Sequence, residues 1–234
     1  MDMQVAILAG GLATRLGDLT RDRPKSMVKV LGKPFLEYQL ELLRQSGIKN
    51  IILCIGYMGE KIKRHFGSGK RYGVDIRYSV EDTPLGTAGA LKKAANLLDD
   101  IFFTMYGDSY LFLDFSQVMS YFASQNKLAL MTVYKNFNCY DRSNTVVEGN
   151  LIKRFSKQQK TRDMVYIEYG ANIFRKEVLD MIPENRFYSL DHLFPRLIEQ
   201  KQLLAFEVRE RFYEIGSPPG LTEFAEFIKK GHVG

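Results

Sequence analysis

Gly10 and Gly11 end the short apolar run at residues 5–8 and open a loop that carries Thr14, Arg15, Arg21, Arg23 and Lys25. Residues without a Cβ let backbone N–H groups come close to a polyphosphate, and guanidinium and ammonium groups in the same loop neutralise it. The chemistry this suits is the binding of a nucleoside triphosphate. The loop has neither the glycine-lysine-serine end of a P-loop nor the G-x-G-x-x-G order of a dinucleotide fingerprint. On its own it reads more readily as a glycine turn with solvated charges.

Three other places carry comparable chemistry. The stretch PLGTAGAL at residues 84–91 is a second loop-to-helix junction, where small residues serve close approach to a base or phosphate, or simply helix packing. Glu81 or Asp82 beside it can accept from the N1–H and N2 amine of guanine, whereas uracil offers one such donor. Asp108 follows the apolar run 102–106, at the end of a strand where open α/β sheets bind ligands; it suits Mg²⁺ held against phosphate, or a turn cap. Glu214, just before the Ser217-Pro218 helix start, is a second carboxylate for that metal or an exposed acidic residue on an edge strand. His65, His192 and His232 are given no role, and no histidine-cysteine cluster suggests zinc.

The elements that must position these groups alternate as β-α-β-α. Strands are expected at 5–8, 51–57, 75–80, 102–106, 128–134 and 166–174, the last interrupted by Gly170. Helices are expected at 34–47, 59–66, behind PLGTAGAL, at 114–126, 175–182 and 189–200, and after Ser217. NTVVEGNLIKRF reads as a hairpin about Gly149, in a basic lobe laid over the site; Lys153, Arg154, Lys157 and Lys160 there face a phosphate or solvent.

Bulk properties limit the partners. The 234 residues are 45% hydrophobic and 26% charged, enough to bury the core of one large α/β domain. A net charge of +6, dispersed along the chain, suits a small anionic substrate and argues against nucleic acid. Cys54 and Cys139 make no disulfide framework, and no apolar run approaches 18 residues, so a cytoplasmic protein without membrane contact is expected. Phe224 and Phe227 on the last helix are taken as exposed and available to a homodimer.

LAGGLATRL, RPKSM, GKPFLEY, EDTPLGTAGAL, YGDSY and YEIGSPPGL, in this order over nearly the whole chain, resemble the sugar-1-phosphate nucleotidyltransferase family. The glutamate in YEIGSP and the segment FGSGKRYGVDIRYS are most similar to the D-glycero-α-D-manno-heptose 1-phosphate guanylyltransferases. The resemblance implies a single α/β domain with a Rossmann-like mixed, mostly parallel sheet flanked by helices. Nucleotide would bind over residues 1–112 and sugar phosphate over 113–234. By motif position, Leu8, Ala9, Gly10, Gly11 and Thr14 would contact the nucleotide, Arg15 and Lys25 the triphosphate, and Gly86 and Thr87 the base or ribose. Asp108 and Glu214 would hold Mg²⁺. Lys157, Glu168, Tyr169, Gly170 and Asn172 would bind the sugar phosphate, beside Asp108. Arg15, Lys25 and Asp108 would be catalytic, Arg15 at the departing pyrophosphate and Lys25 near the α-phosphate.

Three positions depart from the family's pattern: Ala13 replaces a common glycine, Glu214 a common aspartate, and Ser156 a common glutamate ahead of Lys157. GTP is the expected nucleotide. Uridylyl or cytidylyl transfer, or mannose 1-phosphate as the sugar, differs only in pocket detail. A non-catalytic regulatory subunit would be expected to lose the phosphate cations or metal carboxylates, all of which are present.

Overall fold

The computed structural model describes residues 3–11 and 14–231, and the side chains of Thr14, Arg15 and Asp18 lie outside that description. The chain begins with β1 (Gln4–Leu8), the two-residue strands β2 (Lys29–Val30) and β3 (Lys33–Pro34), α1 (Phe35–Gln45), β4 (Asn50–Ile55), α2 (Gly59–Phe66) and β5 (Asp75–Val80). It continues through α3 (Gly86–Lys93), β6 (Ile101–Tyr106), β7 (Ser109–Tyr110), α4 (Phe115–Ala123) and β8 (Ala129–Lys135). The hairpin strands β9 (Thr145–Glu148) and β10 (Leu151–Phe155) follow, then β11 (Tyr166–Arg175), α5 (Leu190–Glu199), β12 (Leu203–Val208), β13 (Tyr213–Glu214) and α6 (Pro218–Lys229).

Nine strands make one sheet in the order β5-β4-β1-β6-β11-β8-β12-β10-β9. Pairing is parallel from β5 to β6 and between β8 and β12; β11 and β10 run against the rest. The mixed, mostly parallel sheet expected of the chain is therefore present. Parallel strands need covered faces, and alternation supplies them. Val5 and Ile7 point to one face, where Leu36, Leu40 and Leu43 of α1, Ile62 and Phe66 of α2, and Phe115, Val118 and Phe122 of α4 pack. Ala6, Ile52 and Cys54 point to the other, under Ala88 and Leu91 of α3 and Leu190, Leu193 and Leu197 of α5.

From β1 the chain moves outward to β4 and β5, then returns to place β6 on the other side of β1. A reversal of this kind leaves a crevice at the carboxyl ends of the two strands, which is where open α/β sheets bind ligands. The β1–β6 register pairs Leu8 with Tyr106, so the glycine loop and the YGDS turn leave the sheet side by side.

Several expectations need correction. The hairpin β9–β10 is the edge of the main sheet rather than a lobe over the site, because β10 pairs with β12. Lys153 pairs with Glu148 and Arg154 with Asp163, which turns both to solvent. Strand β12, LLAFEV, was not anticipated; it inserts beside β8 with Leu203 and Leu204 fully buried. Residues 176–181 form a 3-10 helix, and Arg175 belongs to β11.

Phe224 is fully buried, not exposed. Ser217 caps α6 by accepting from the Gly220 N–H at 3.2 Å, and Pro218 occupies the first turn, which sets the helix against α1. The Phe224 ring meets Phe35, Tyr38 and Tyr110 at centroid distances of 5.0, 5.4 and 5.1 Å. Phe224→Ala should therefore lower unfolding free energy by about 3–5 kcal/mol in urea titrations, the usual cost of emptying a buried phenylalanine site.

Candidate functional site

The crevice between β1 and β6 opens into a cavity of about 490 Å³, within the ordinary range for small-molecule sites. Leu8, Ala9, Gly10 and Gly11 form one wall and Lys25 and Ser26 one end. Glu81, Pro84, Gly86 and Thr87 line the side toward α3, and Tyr106, Gly107 and Asp108 the floor. Of the residues expected to bind nucleotide, every one outside Thr14 and Arg15 is gathered here; those two side chains lie outside the described residues.

Close backbone packing builds the floor. The Gly107 N–H donates to the Leu8 carbonyl at 3.0 Å. A Cβ on Gly107 would stand 2.9 Å from that carbonyl and 3.1 Å from the Ala9 Cβ, so only glycine lets the two loops touch. Asp108, directly after it, forms an ion pair with Lys25 through Oδ2 and Nζ. The cation of the first loop and the strand-end carboxylate thus meet at one point.

Of the two acidic residues beside PLGT, the fold separates the roles. Asp82 is at the surface, 3.4 Å from Lys93. Glu81 lines the cavity, its Oε2 accepting from the Leu85 N–H at 2.9 Å, with Oε1 lying against Gly10. Burial raises its pKa above the usual glutamate value, partly offset by that N–H and by Lys93. The Thr87 hydroxyl accepts from the Leu190 N–H at 2.8 Å, tying α3 to the start of α5.

The expected sugar-phosphate residues form a second cluster, reached through Tyr106. The Tyr106 hydroxyl donates to Glu168 Oε1 at 2.7 Å, and Asn172 Nδ2 donates to the same oxygen at 3.1 Å. Lys157 Nζ stands 3.6 Å from Glu168 Oε2 and 3.1 Å from Asp191 Oδ1. Burial opposes the Lys157 charge, but the two carboxylates outweigh it and leave its pKa above the ordinary lysine value. Burial, then Glu168, raises the Tyr106 hydroxyl well above the usual tyrosine range. Gly170, at φ +109°, marks the register shift of β11 against β8 between Glu168 and Asn172.

Tyr169 does not join this cluster. It alternates to the opposite face of β11, where its hydroxyl bonds the backbone of Phe112 at 3.0 and 3.1 Å within the core. Glu214 lies across the β7–β13 pairing from Ser109, next to Asp108, but its carboxylate is occupied locally. It accepts from the Gly216 N–H and, at 2.6 Å, from the Ser217 hydroxyl. Among the described residues no three of histidine, cysteine, aspartate and glutamate gather as a metal cluster.

Sequence reasoning missed Ser26, Tyr106, Asp191 and the exposed Phe187, all at or beside the cavity. Only Tyr106 had a local signal, as the last residue of the strand that delivers Asp108. Asp191 and Phe187 arrive through the long-range packing of residues 187–190 on α3, with the Tyr188 carbonyl accepting from the N–H groups of Ala88 and Gly89 at 3.0 and 2.8 Å. His192 serves as part of the capping box of α5 with Ser189. No helix among the described residues is long and apolar enough to cross a membrane.

The chain is 30% identical over 224 residues to D-glycero-alpha-D-manno-heptose 1-phosphate guanylyltransferase of Campylobacter jejuni, covering 95% of this chain and 98% of that one. It is 32% identical to UTP–glucose-1-phosphate uridylyltransferase of Synechocystis over 84% of this chain, while spanning only 55% of that protein's length. HddC from Yersinia pseudotuberculosis complexed with GMP-PN superimposes with a TM-score of 0.82 at 27% identity, covering 97% of this chain and 99% of HddC. The Nucleotidyl transferase family model matches residues 4–231, and with that match the chain belongs to the nucleotidyl transferase family.

Proposed function

We propose that this chain joins a sugar 1-phosphate to GTP, giving a GDP-sugar and pyrophosphate, with D-glycero-α-D-manno-heptose 1-phosphate as the sugar. The observation that carries this reading is the single cavity in which the Gly10–Gly11 loop, the Lys25–Asp108 pair and Glu81 converge. Similarity to the Campylobacter guanylyltransferase along nearly both whole chains, and to HddC bound to GMP-PN, supports the choice of sugar and base.

The reaction brings two anions together. A phosphate oxygen of the sugar 1-phosphate attacks the α-phosphorus in line; a new P–O bond forms, the bond from the α-phosphorus to the bridging oxygen breaks, and pyrophosphate leaves with that oxygen. No covalent nucleophile is needed, so alignment and charge neutralisation carry the rate. Backbone N–H groups of Gly10 and Gly11 cradle the phosphates, Arg15 neutralises the departing pyrophosphate, and Lys25 meets the charge that builds at the α-phosphate. Lys157, with Glu168 and Asn172, orients the sugar phosphate; Lys157 supplies the charge and Glu168 accepts sugar hydroxyls.

Mg²⁺ fits the residues present. It is commonly held by one or two carboxylates together with substrate phosphates rather than by a full protein cage; Asp108 at the cavity floor would be one such carboxylate, and Glu214, across the β7–β13 pairing from Ser109, would be the second. When bound, the ion supplies charge neutralisation and alignment of phosphate oxygens.

Turnover with each nucleoside triphosphate and the heptose 1-phosphate, read as metal-dependent pyrophosphate release, tests the assignment: GTP should be fastest, and no release with any nucleotide would instead favour a non-catalytic binding subunit. Lys25→Ala should lower kcat by on the order of a hundredfold or more while the protein stays folded. A folded variant with unchanged turnover would remove Lys25 from the mechanism.

For the base, ionised Glu81 is the acceptor of the guanine N1–H and N2 amine. GTP affinity should accordingly weaken as pH falls through the raised Glu81 pKa, because protonation removes an acceptor. Calorimetry should find Glu81→Gln about ten- to a hundredfold weaker for GTP near pH 8, little changed for UTP, and without the acid-side loss. Equal losses for the two nucleotides would show that Glu81 does not read the base.

A further inference from the structure

Asp108 sits in a four-residue connection, Tyr106 to Ser109, that must hold its backbone still while two substrates and a metal load its carboxylate. Two of the tethers are evident: Gly107 N–H on the Leu8 carbonyl at 3.0 Å, and the Ile215 N–H on the Asp108 carbonyl at 2.9 Å. The third comes from α1, an element that contributes no residue to the cavity lining.

Gln39 of α1 is fully buried. Its Nε2 donates to the Tyr106 carbonyl at 2.8 Å and to the Ser109 carbonyl at 2.7 Å, so a single amide closes both ends of the connection around Gly107 and Asp108. The amide oxygen, Oε1, has no hydrogen-bond partner among the described residues. Burying an acceptor without a partner disfavours folding, and a leucine here would avoid that cost, so packing alone does not account for an amide at this position.

The same helix also holds the other half of the ion pair. Residues 25–27 form a 3-10 turn that begins with Lys25, and the carbonyl of Val28 directly after it accepts from the Phe35 N–H, the first residue of α1, at 3.0 Å. Leu36, Leu40 and Leu43 fix α1 on the sheet. One rigid helix therefore anchors Lys25 at its N-terminus and Asp108 one turn further on.

We propose that Gln39 is a positioning residue for nucleotidyl transfer: by clamping the carbonyls of Tyr106 and Ser109 it fixes the Asp108 carboxylate relative to Lys25. This rests on the function proposed above. It acts through Asp108 and touches no substrate, so its loss should appear in kcat and leave nucleotide binding nearly intact. A displacement of about an ångström at a reacting centre is enough to cost on the order of a hundredfold.

The test is Gln39→Leu, with Gln39→Met as a second apolar replacement should leucine not fold, each assayed below its melting temperature. The expected result is kcat lower by about ten- to a hundredfold, GTP KM within about threefold of wild type, and faster amide hydrogen exchange across residues 104–112 with α1 unchanged. Wild-type kcat in a folded variant, or a slowed enzyme whose 104–112 segment exchanges as in the wild type, would overturn the proposal. Failure of the functional reading itself is distinguishable, since the unmutated chain would then release no pyrophosphate.

Discussion

The Lys25–Asp108 ion pair is the contact around which the candidate site is arranged, and its two partners, 83 residues apart in the chain, have no local reason to meet. They meet because β6 returns to the side of β1 left free when the chain went outward to β4 and β5. Parallel pairing of Leu8 with Tyr106 then aligns the exits of the two strands, and Gly107 removes the one Cβ that would hold the loops apart. The remaining machinery adds walls to that junction: the β5–α3 connection and the first residue of α3 bring Glu81 and Gly86 from one side, and the β13–α6 connection brings Gly216 from the other, with Glu214 at the end of β13 opposite Ser109.

The two expected substrate regions are joined by covalent and hydrogen-bonded routes through very few residues. Tyr106 lines the cavity at the first loop and donates to Glu168, and Lys157 lies 5.4 Å from the centre of its ring. On the outer side, residues 187–191 bond α3 through Thr87 and pair with Lys157 through Asp191. A sugar phosphate seated at Lys157 would therefore press on the same side chains that frame the nucleotide. Lys157 balances two carboxylates in this arrangement, which leaves the cluster short of positive charge for a phosphate dianion.

What the sequence disclosed follows from how local each signal is. The continuous apolar runs that became β1, β4, β6 and β8 need burial on both faces and read as such, and the Ser217-Pro218 start of α6 is written in adjacent residues. Asp108 and the glycine loop were legible because strand ends are marked by a change from apolar to glycine. Tyr169, Phe224 and β12 were not legible for a common reason. Whether Tyr169 faces the sugar or the core depends on alternation about the Gly170 irregularity, and whether Phe224 is exposed depends on α6 finding α1 nearly 190 residues away. The insertion of β12 between β8 and β10 is likewise a choice among sheet edges that its own six residues do not make.

Glu214 shows how one added methylene changes the demands on a site. An aspartate at the end of β13 holds its carboxylate close to the backbone, whereas the glutamate folds back to accept from the Gly216 N–H and the Ser217 hydroxyl. Ser217 is at the same time the cap of α6, its oxygen accepting from Gly220, so the carboxylate, the cap and the helix form one hydrogen-bonded series. That series orients the glutamate from within its own turn and takes up part of its acceptor capacity. The two carboxylates at the junction are thus held by different means, Asp108 by a cation and a backbone clamp, Glu214 by the donors of its own turn. Of the two, Asp108 is the one whose position the whole sheet determines, and so the one best suited to set where the phosphates lie.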